Sequence, residues 1–234
     1  MAGTLYCVGV GPGDPELLTQ KAARVLAACP VVAAPRTDAG NSIALDIASR
    51  AVPLAGKAVL RLDFPMTHDR ARAAQGYRDA ADALAQALDA GQDAALLTLG
   101  DVALYSTAGY VLALLKARGY KVEAVPGVPS FCAVAAALQT SLTDRDLPLH
   151  ILPAGAQDLP ALLRLPGTKV LMKAGRSLPR IRAALAQAGL LDRTMAVQDC
   201  GMPTQRVWHS LADLPDSLGY FVTLVVPGAP GADV

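Results

Sequence analysis

Short apolar segments alternate with longer amphipathic stretches through the first 125 residues of the chain. The short segments hold four to seven apolar and β-branched residues, a pattern typical of buried strands. Strands that alternate with helices pair in parallel and are covered on both faces, so this half predicts a parallel α/β domain. The predicted strands are residues 5–10, 31–34, 58–64, 94–99 and 121–125.

Start and stop signals delimit helices between these strands. Pro15 stands near the start of the first helix, and Asn41 is placed to cap the second. Gly91 and Gly119 follow the third and fourth helices, where glycine commonly ends a helix. The predicted helices are residues 16–28, 42–51, 70–90 and 107–118.

The rhythm changes after about residue 140, beyond a polar stretch that we take as a hinge. The last three predicted strands lie close together, which favours antiparallel pairing and a mixed sheet. We therefore expect two α/β domains, residues 1–140 with a parallel sheet and 141–234 with a mixed sheet, and a ligand in the cleft between them. The predicted strands are residues 148–153, 168–172, 194–200, 206–210 and 220–226, with a helix at 178–188.

Composition narrows the possible partners. Lys plus Arg total 21 and Asp plus Glu total 20, a net charge of +1 that offers no broad electrostatic surface for nucleic acid. Mean hydropathy is +0.34, yet each apolar run is too short to span a bilayer. The N-terminal residues lack the basic start and apolar stretch of a secretory signal. We expect a cytoplasmic protein with no membrane partner.

The cysteines and histidines do not have the spacing of a metal-binding motif. They are scattered along the chain, and buried thiols with unrelated histidines explain them adequately. We expect no protein-bound metal. The residues concerned are Cys7, Cys29, Cys132, Cys200, His68, His150 and His209.

A glycine-rich loop, GVGPGDP, follows the first strand and opens the first helix. It differs from the dinucleotide fingerprint because Asp14 stands where the last glycine would be, and Pro12 lacks the N–H that a pyrophosphate would accept. The second strand also lacks a terminal acidic residue for a ribose. Taken alone, this loop is either a tight structural turn or a binding loop.

Two further loops, LGDVALYS and PGVPSF, follow the fourth and fifth strands. Gly100 and Gly127 allow the main chain to approach a ligand closely. The hydroxyl groups of Ser106, Thr107 and Ser130 are candidates either for helix capping or for binding a ligand.

The motifs GVGPGDPELLT, LGD, YST, PGVPSF, LMKAGR and CGM occur here in the order found in the tetrapyrrole methylase family, which the chain resembles over nearly its whole length. Within that family it is most similar to the cobalt-factor II or precorrin-2 C20-methyltransferases, through FPMTHD, TLGDVALYST, VLMKAGRSLP, AGLLDR and LGYF. The resemblance implies a homodimeric methyltransferase of vitamin B12 biosynthesis that takes its methyl group from S-adenosylmethionine.

The same resemblance implies the cofactor-binding positions. Val102 departs from the family, which commonly has proline there, and Pro129 stands where threonine is common; Pro129 can offer only its carbonyl or ring. The implied positions are Pro12, Leu99, Gly100, Asp101, Leu104, Ser106, Thr107, Pro129, Ser130, Met172, Gly201 and Met202.

The implied reaction moves a methyl group from a sulfonium to a nucleophilic ring carbon, so alignment in a water-poor cleft should dominate over any dedicated nucleophile. Asp101, Asp14 and Tyr105 lie near the expected cleft, but no proton acceptor is assigned, and Asp101 is as readily explained as a loop-holding side chain. The macrocycle carries many carboxylates, which basic side chains would bind. The candidates are Arg36, Arg61, Arg70, Lys173 and Arg176.

Several alternatives stay open at this point. The chain is also compatible with methylation at another ring position, with a ribosomal RNA methylase, although its neutral charge counts against RNA, and with a non-catalytic sensor of S-adenosylmethionine or tetrapyrrole. An NAD(P)-dependent oxidoreductase is the weakest alternative. The resemblance implies precorrin-2 or cobalt-factor II as the acceptor, and the short region that contains FPMTHD favours the cobalt-bearing ring.

Overall fold

The computed structural model describes residues 1–36, 41–65, 67, 69–215 and 218–228, apart from the side chain of Arg176. The chain forms two compact units, Met1–Pro129 and Ser130–Val234. The expected boundary after residue 140 differs from this division by one helix, α5 (Ser130–Ala137). This helix lies in the second unit because its Val134 packs with Val197 and Val225 there.

The first unit contains the predicted parallel sheet. Its strand order is β3-β2-β4-β1-β5, and every pairing between neighbours is parallel. All residues of the central strand β4 are buried, whereas the edge strands β3 and β5 each expose two or three side chains. The strands are β1 (Thr4–Gly9), β2 (Val31–Pro35), β3 (Ala58–Leu62), β4 (Ala94–Thr98) and β5 (Lys121–Val125).

Helices cover both faces of this sheet. Leu26 of α1 and Ile47 of α2 belong to the core on one face, and Leu84 of α3 and Val111 of α4 belong to the core on the other. The neighbouring strands β1 and β4 therefore send their following helices to opposite faces, which places the topological switch point between them. The helices are α1 (Gln20–Ala28), α2 (Ile43–Ala51), α3 (Arg70–Asp89) and α4 (Ala108–Ala117).

Two predicted helix starts were wrong. The first helix does not begin at Glu16: a 3-10 turn, Pro15–Leu17, ends before α1, whose N-cap Thr19 accepts a hydrogen bond from the N–H of Ala22. The hydroxyl of Thr19 offers an acceptor to the N–H groups in the first turn of α1, which have no partner within the helix. The helix therefore begins after Thr19. In α2 the cap is Ser42 rather than Asn41.

The second unit contains the predicted mixed sheet, in the order β6-β7-β10-β8-β9. Among the described strands of this unit, β6 and β7 pair in parallel, and the crowded C-terminal strands pair antiparallel as expected. Its helices are α5, α6 (Leu159–Leu163) and α7 (Leu178–Gln187). Its strands are β6 (Leu149–Pro153), β7 (Thr168–Met172), β8 (Met195–Gln198), β9 (Arg206–Trp208) and β10 (Val222–Val226).

Within the described ranges, no helix is both long enough and apolar enough to cross a bilayer. The same part of the chain holds no group of three or more His, Cys, Asp or Glu side chains placed as metal ligands. His68 lies outside the described residues. Cys7, Cys29 and Cys200 are buried thiols, and Cys132 is exposed.

Candidate functional site

A short main-chain bridge closes the switch point between β1 and β4. Beyond the parallel pairing of these strands, Gly11 and Gly100 exchange two hydrogen bonds, with N–O distances of 3.2 Å and 2.7 Å. Both glycines have positive φ angles, +79° and +73°, which residues with a side chain adopt only at a cost. The two loops identified in the sequence therefore meet through peptide groups, and a ligand at this switch point would lie against main chain.

The loop after β5 joins this contact through Gly127. A Cβ atom on Gly127 would lie 2.3 Å from the carbonyl oxygen of Gly100, and one on Gly9 would lie 2.6 Å from the same oxygen. Such distances are well inside van der Waals contact, so both positions require glycine. The three loops thus approach one another most closely at their glycine positions.

Asp101 fastens two of these loops together. Its Oδ2 accepts a hydrogen bond from the N–H of Gly127 at 3.0 Å, and its Oδ1 accepts one from the N–H of Ala103 at 2.8 Å. The loop-holding role considered for Asp101 is therefore present. Each carboxylate oxygen has two acceptor positions, so a direct contact with the methyl donor stays a prediction.

The two hydroxyl groups before α4 differ in their use. Ser106 Oγ lies 2.8 Å from Thr98 Oγ1 and accepts a hydrogen bond from the N–H of Ala108 at 3.1 Å. Thr107 is the N-cap residue of α4, but its side chain makes no capping hydrogen bond. Ser106 thus supports the start of α4, whereas capping does not explain Thr107.

The remaining first-unit candidates lie in the same loops. Pro12 is buried in the loop after β1, and Leu99, Leu104 and Pro129 are half-buried. Tyr105 is 45% exposed and has a φ angle of +50°. A bulky residue with positive φ is strained, and such strain often accompanies a functional loop.

The second-unit candidates lie at one edge of the mixed sheet. Met172 ends β7, and Gly201 and Met202 lie in the turn that follows β8. Because β7 and β8 both run antiparallel to β10 between them, their C-terminal ends are at the same edge, about 10 Å apart. Ser130 is the first residue of α5 in this unit.

Gln198 and Asp199, at the end of β8, form a polar pair that the sequence analysis did not identify. Asp199 has a φ angle of +50°, and its Oδ2 accepts hydrogen bonds from Gln198 Nε2 and Thr204 Oγ1, each at 3.0 Å. Gln198 Oε1 accepts a hydrogen bond from the N–H of Gly219 at 3.0 Å. The only sequence signal was two adjacent polar residues where a buried strand ends.

The candidate substrate-binding cations are distributed over both units. Arg36, after β2, forms a two-pronged ion pair with Asp63, after β3. Arg61 in β3 and Arg70 at the start of α3 are exposed. In the second unit, Lys173 follows β7 with a φ angle of +61°.

Lys173 and Arg176 are the two candidate cations of the second unit. Neighbouring protein atoms displace water from Lys173 and lower its pKa, although the residue as a whole is exposed. The side chain of Arg176 is outside the described part of the chain. The carboxylate-binding role of all five cations stays a prediction.

Comparisons with known proteins bear on the family and the fold of the chain. The family model for tetrapyrrole (corrin/porphyrin) methylases matches residues 4–215. Cobalt-precorrin-2 C(20)-methyltransferase of Salmonella typhimurium is 34% identical over 232 residues, 97% of each chain. The probable cobalt-precorrin-2 C(20)-methyltransferase of Methanocaldococcus jannaschii is 41% identical over 170 residues, 72% of this chain and 71% of that one.

A solved structure has the same architecture. Uroporphyrin-III C-methyltransferase from Thermus thermophilus, complexed with S-adenosyl homocysteine, is 26% identical, with a TM-score of 0.71 over 96% of this chain and 92% of that one. The predicted fold class, a parallel and a mixed sheet of the methylase type, is confirmed. The family model matches residues 4–215, and one relative is 34% identical along 97% of both chains. The chain therefore belongs to the tetrapyrrole (corrin/porphyrin) methylase family.

Proposed function

We propose that the protein transfers a methyl group from S-adenosylmethionine to C20 of precorrin-2 or cobalt-factor II in cobalamin biosynthesis. The observation that supports this most is its 34% identity, along 97% of both chains, to a cobalt-precorrin-2 C(20)-methyltransferase. The glycine-lined switch point between β1 and β4 is consistent with it, because a ligand can approach the main chain of these loops closely.

In the proposed reaction the bond from sulfur to the methyl carbon breaks as the bond from the methyl carbon to C20 forms. S-adenosylhomocysteine leaves, and C20 then loses its proton. The sulfonium charge disperses in the transition state, so apolar surroundings such as Leu99, Val102 and Leu104 favour it over the charged ground state. The task of the protein is to hold sulfur, methyl and C20 in line, with reacting atoms about 3–3.5 Å apart.

The loops of the first unit are suited to such positioning. The bridge between Gly11 and Gly100 and the carboxylate clamp of Asp101 fix three loops relative to one another. Rigid supports hold a reacting geometry better than mobile loops. The second-unit positions Met172, Gly201 and Met202 stay predictions for the adenosyl part.

The test is to incubate the protein with methyl-labelled S-adenosylmethionine and either precorrin-2 or cobalt-factor II, and to locate the new methyl group by mass spectrometry and carbon NMR. Methylation at C20 is expected, and the ratio of kcat/KM for the two acceptors identifies the natural one. Methylation elsewhere on the ring would support the alternative family activity. Binding of S-adenosylhomocysteine with no transfer to either ring would support a sensor.

We also propose that the protein is a homodimer in the cytoplasm, as the family resemblance implies. Sedimentation equilibrium tests the assembly, since the 24.1 kDa chain should sediment at twice its own mass. A single species of monomer mass at micromolar concentration would contradict the dimer.

A further inference from the structure

An ion pair joins the C-terminal ends of two neighbouring strands in the first unit. Arg36 Nε donates to one carboxylate oxygen of Asp63, and Arg36 Nη2 donates to the other at 2.5 Å. The main chain is joined as well, because the N–H of Arg36 donates to the carbonyl of Leu62 at 3.0 Å. The guanidinium is therefore held by one edge at a fixed place on the sheet.

Stability gives little reason for this arrangement. The side chains of Arg36 and Asp63 are 48% and 64% exposed, and ion pairs in water contribute little to folding because solvent and salt screen them. The mutual hydrogen bonds raise the pKa of Arg36 and lower that of Asp63, so each partner favours the charged form of the other. The stability of the fold therefore does not account for this arrangement of two exposed side chains.

The opposite edge of the guanidinium is chemically suited to a second anion. Arginine has five N–H donors, and Asp63 takes one on Nε and one on Nη2, which leaves the fork of Nη1 and Nη2. This fork matches the two oxygens of a carboxylate. Among the residues that the structure describes, Asp63 is the one acidic side chain paired with Arg36.

The position of the pair fits an acceptor bound near the switch point. In the order β3-β2-β4-β1-β5, strand β2 is two spacings from β1, so Arg36 stands about 10 Å across the sheet from the line of β1. It lies at the same edge as the loops of Gly11 and Gly100, because all strands are parallel. A macrocycle with carboxylates around its rim can reach both places.

We infer that Asp63 is a positioning residue, which holds one edge of the Arg36 guanidinium so that the other edge binds a carboxylate of the tetrapyrrole substrate. The inference rests on the proposed function and deepens it: it assigns a substrate-carboxylate site to Arg36 and a supporting role to Asp63. Asp63 acts only through Arg36, so its effect should disappear when the guanidinium is removed.

Steady-state kinetics of four variants test this with the acceptor that the wild type methylates. Asp63→Asn should raise the KM for the tetrapyrrole about 10-fold and change kcat less than about 2-fold, and Asp63→Glu should recover part of the loss. Arg36→Gln should raise the same KM at least as much. The double variant should be no worse than Arg36→Gln alone.

A matched control removes another exposed ion pair of the same unit. Asp82 of α3 pairs at 2.6 Å with Arg118, which follows the C-terminal end of α4. Asp82→Asn should leave the KM for the tetrapyrrole unchanged. Calorimetry with S-adenosylhomocysteine should give the same Kd for wild type and all variants, because the donor is bound elsewhere.

The outcomes separate the two proposals. If the wild type methylates a tetrapyrrole but Asp63→Asn keeps the wild-type KM, or if the losses of the two single variants multiply in the double variant, the inference is wrong and the proposed function stands. If the wild type binds S-adenosylhomocysteine and methylates neither acceptor, the proposed function fails and the inference falls with it.

Discussion

Gly127 shows how much of the site depends on the absence of a side chain. Adding one methyl group by Gly127→Ala would bring its Cβ within 2.3 Å of the carbonyl oxygen of Gly100. We expect the free energy of unfolding to fall by about 1–3 kcal/mol and the Kd for S-adenosylhomocysteine to rise at least about 10-fold. Urea unfolding and calorimetry measure the two effects.

Gly109→Ala is the matched control for this change. Its added Cβ, in the first turn of α4, would meet nothing within 4 Å. Stability should stay the same or rise by up to about 1 kcal/mol, since alanine favours helix, and donor binding should not change. Equal losses in both variants would mean that the close approach at Gly127 does not matter.

Asp101 is expected to act on binding through the loops that it joins. Asp101→Asn keeps one acceptor oxygen but turns an amide N–H₂ toward a main-chain N–H at either Gly127 or Ala103. Hydrogen bonds to charged groups contribute about 1.5–3 kcal/mol, so we expect a loss of stability of about that size and a weaker Kd for S-adenosylhomocysteine. If both values match the wild type in unfolding and calorimetric titrations, the clamp has no energetic role.

Two variants at the start of α4 should distinguish a residue that supports the fold from one that contacts the donor. Ser106→Ala removes the acceptor of the Ala108 N–H and the hydrogen-bond partner of Thr98, and should cost about 1 kcal/mol of stability in urea unfolding. Thr107→Ala removes no capping hydrogen bond, so its stability should stay within about 0.5 kcal/mol while the Kd for S-adenosylhomocysteine rises. A loss of stability in Thr107→Ala, with weaker donor binding in Ser106→Ala alone, would contradict this assignment of roles.

Most strands could be predicted because their apolar runs end in glycine, proline or charge. Strand β5 was predicted to the residue, and β7 likewise. Helices α5 and α6 were missed for different reasons. The sequence of α5 is apolar all round and has no periodicity, and α6 is barely more than one turn, too short to repeat a pattern.

The candidate loops could be located from sequence, but their contacts could not. The order of the strands is set by long-range packing, and only that order brings Gly11 beside Gly100 and Asp101 beside Gly127. The same applies to Arg36 and Asp63, which are far apart in sequence and become neighbours when β2 pairs with β3. Local patterns carry no information on such pairings.

At the scale of the whole molecule, the buried thiols predict a loss of stability at alkaline pH. Burial raises the pKa of Cys7 to about 12 and those of Cys29 and Cys200 to about 11, above the ordinary value of 9.0. The unfolded chain therefore loses these protons first. Their stabilisation is fully present below about pH 9 and is lost as pH rises through about 11–12.

Urea unfolding at a series of pH values above about pH 8 measures this loss. Cys29→Ala should give a shallower decline than the wild type. This comparison isolates the thiol because the tyrosines and lysines whose pKa values are also shifted are common to both proteins. A thiol reagent should label Cys132 quickly in the folded protein and the three buried cysteines only after unfolding. Rapid labelling of all four before unfolding would contradict the burial.

The bridge between Gly11 and Gly100 has a consequence for how such enzymes diversify. Peptide groups make this contact, so substitutions among the surrounding side chains leave its two hydrogen bonds intact. Selectivity for a different ring can then evolve at outlying positions, such as the substrate site proposed at Arg36, while the bridge between the two loops stays the same.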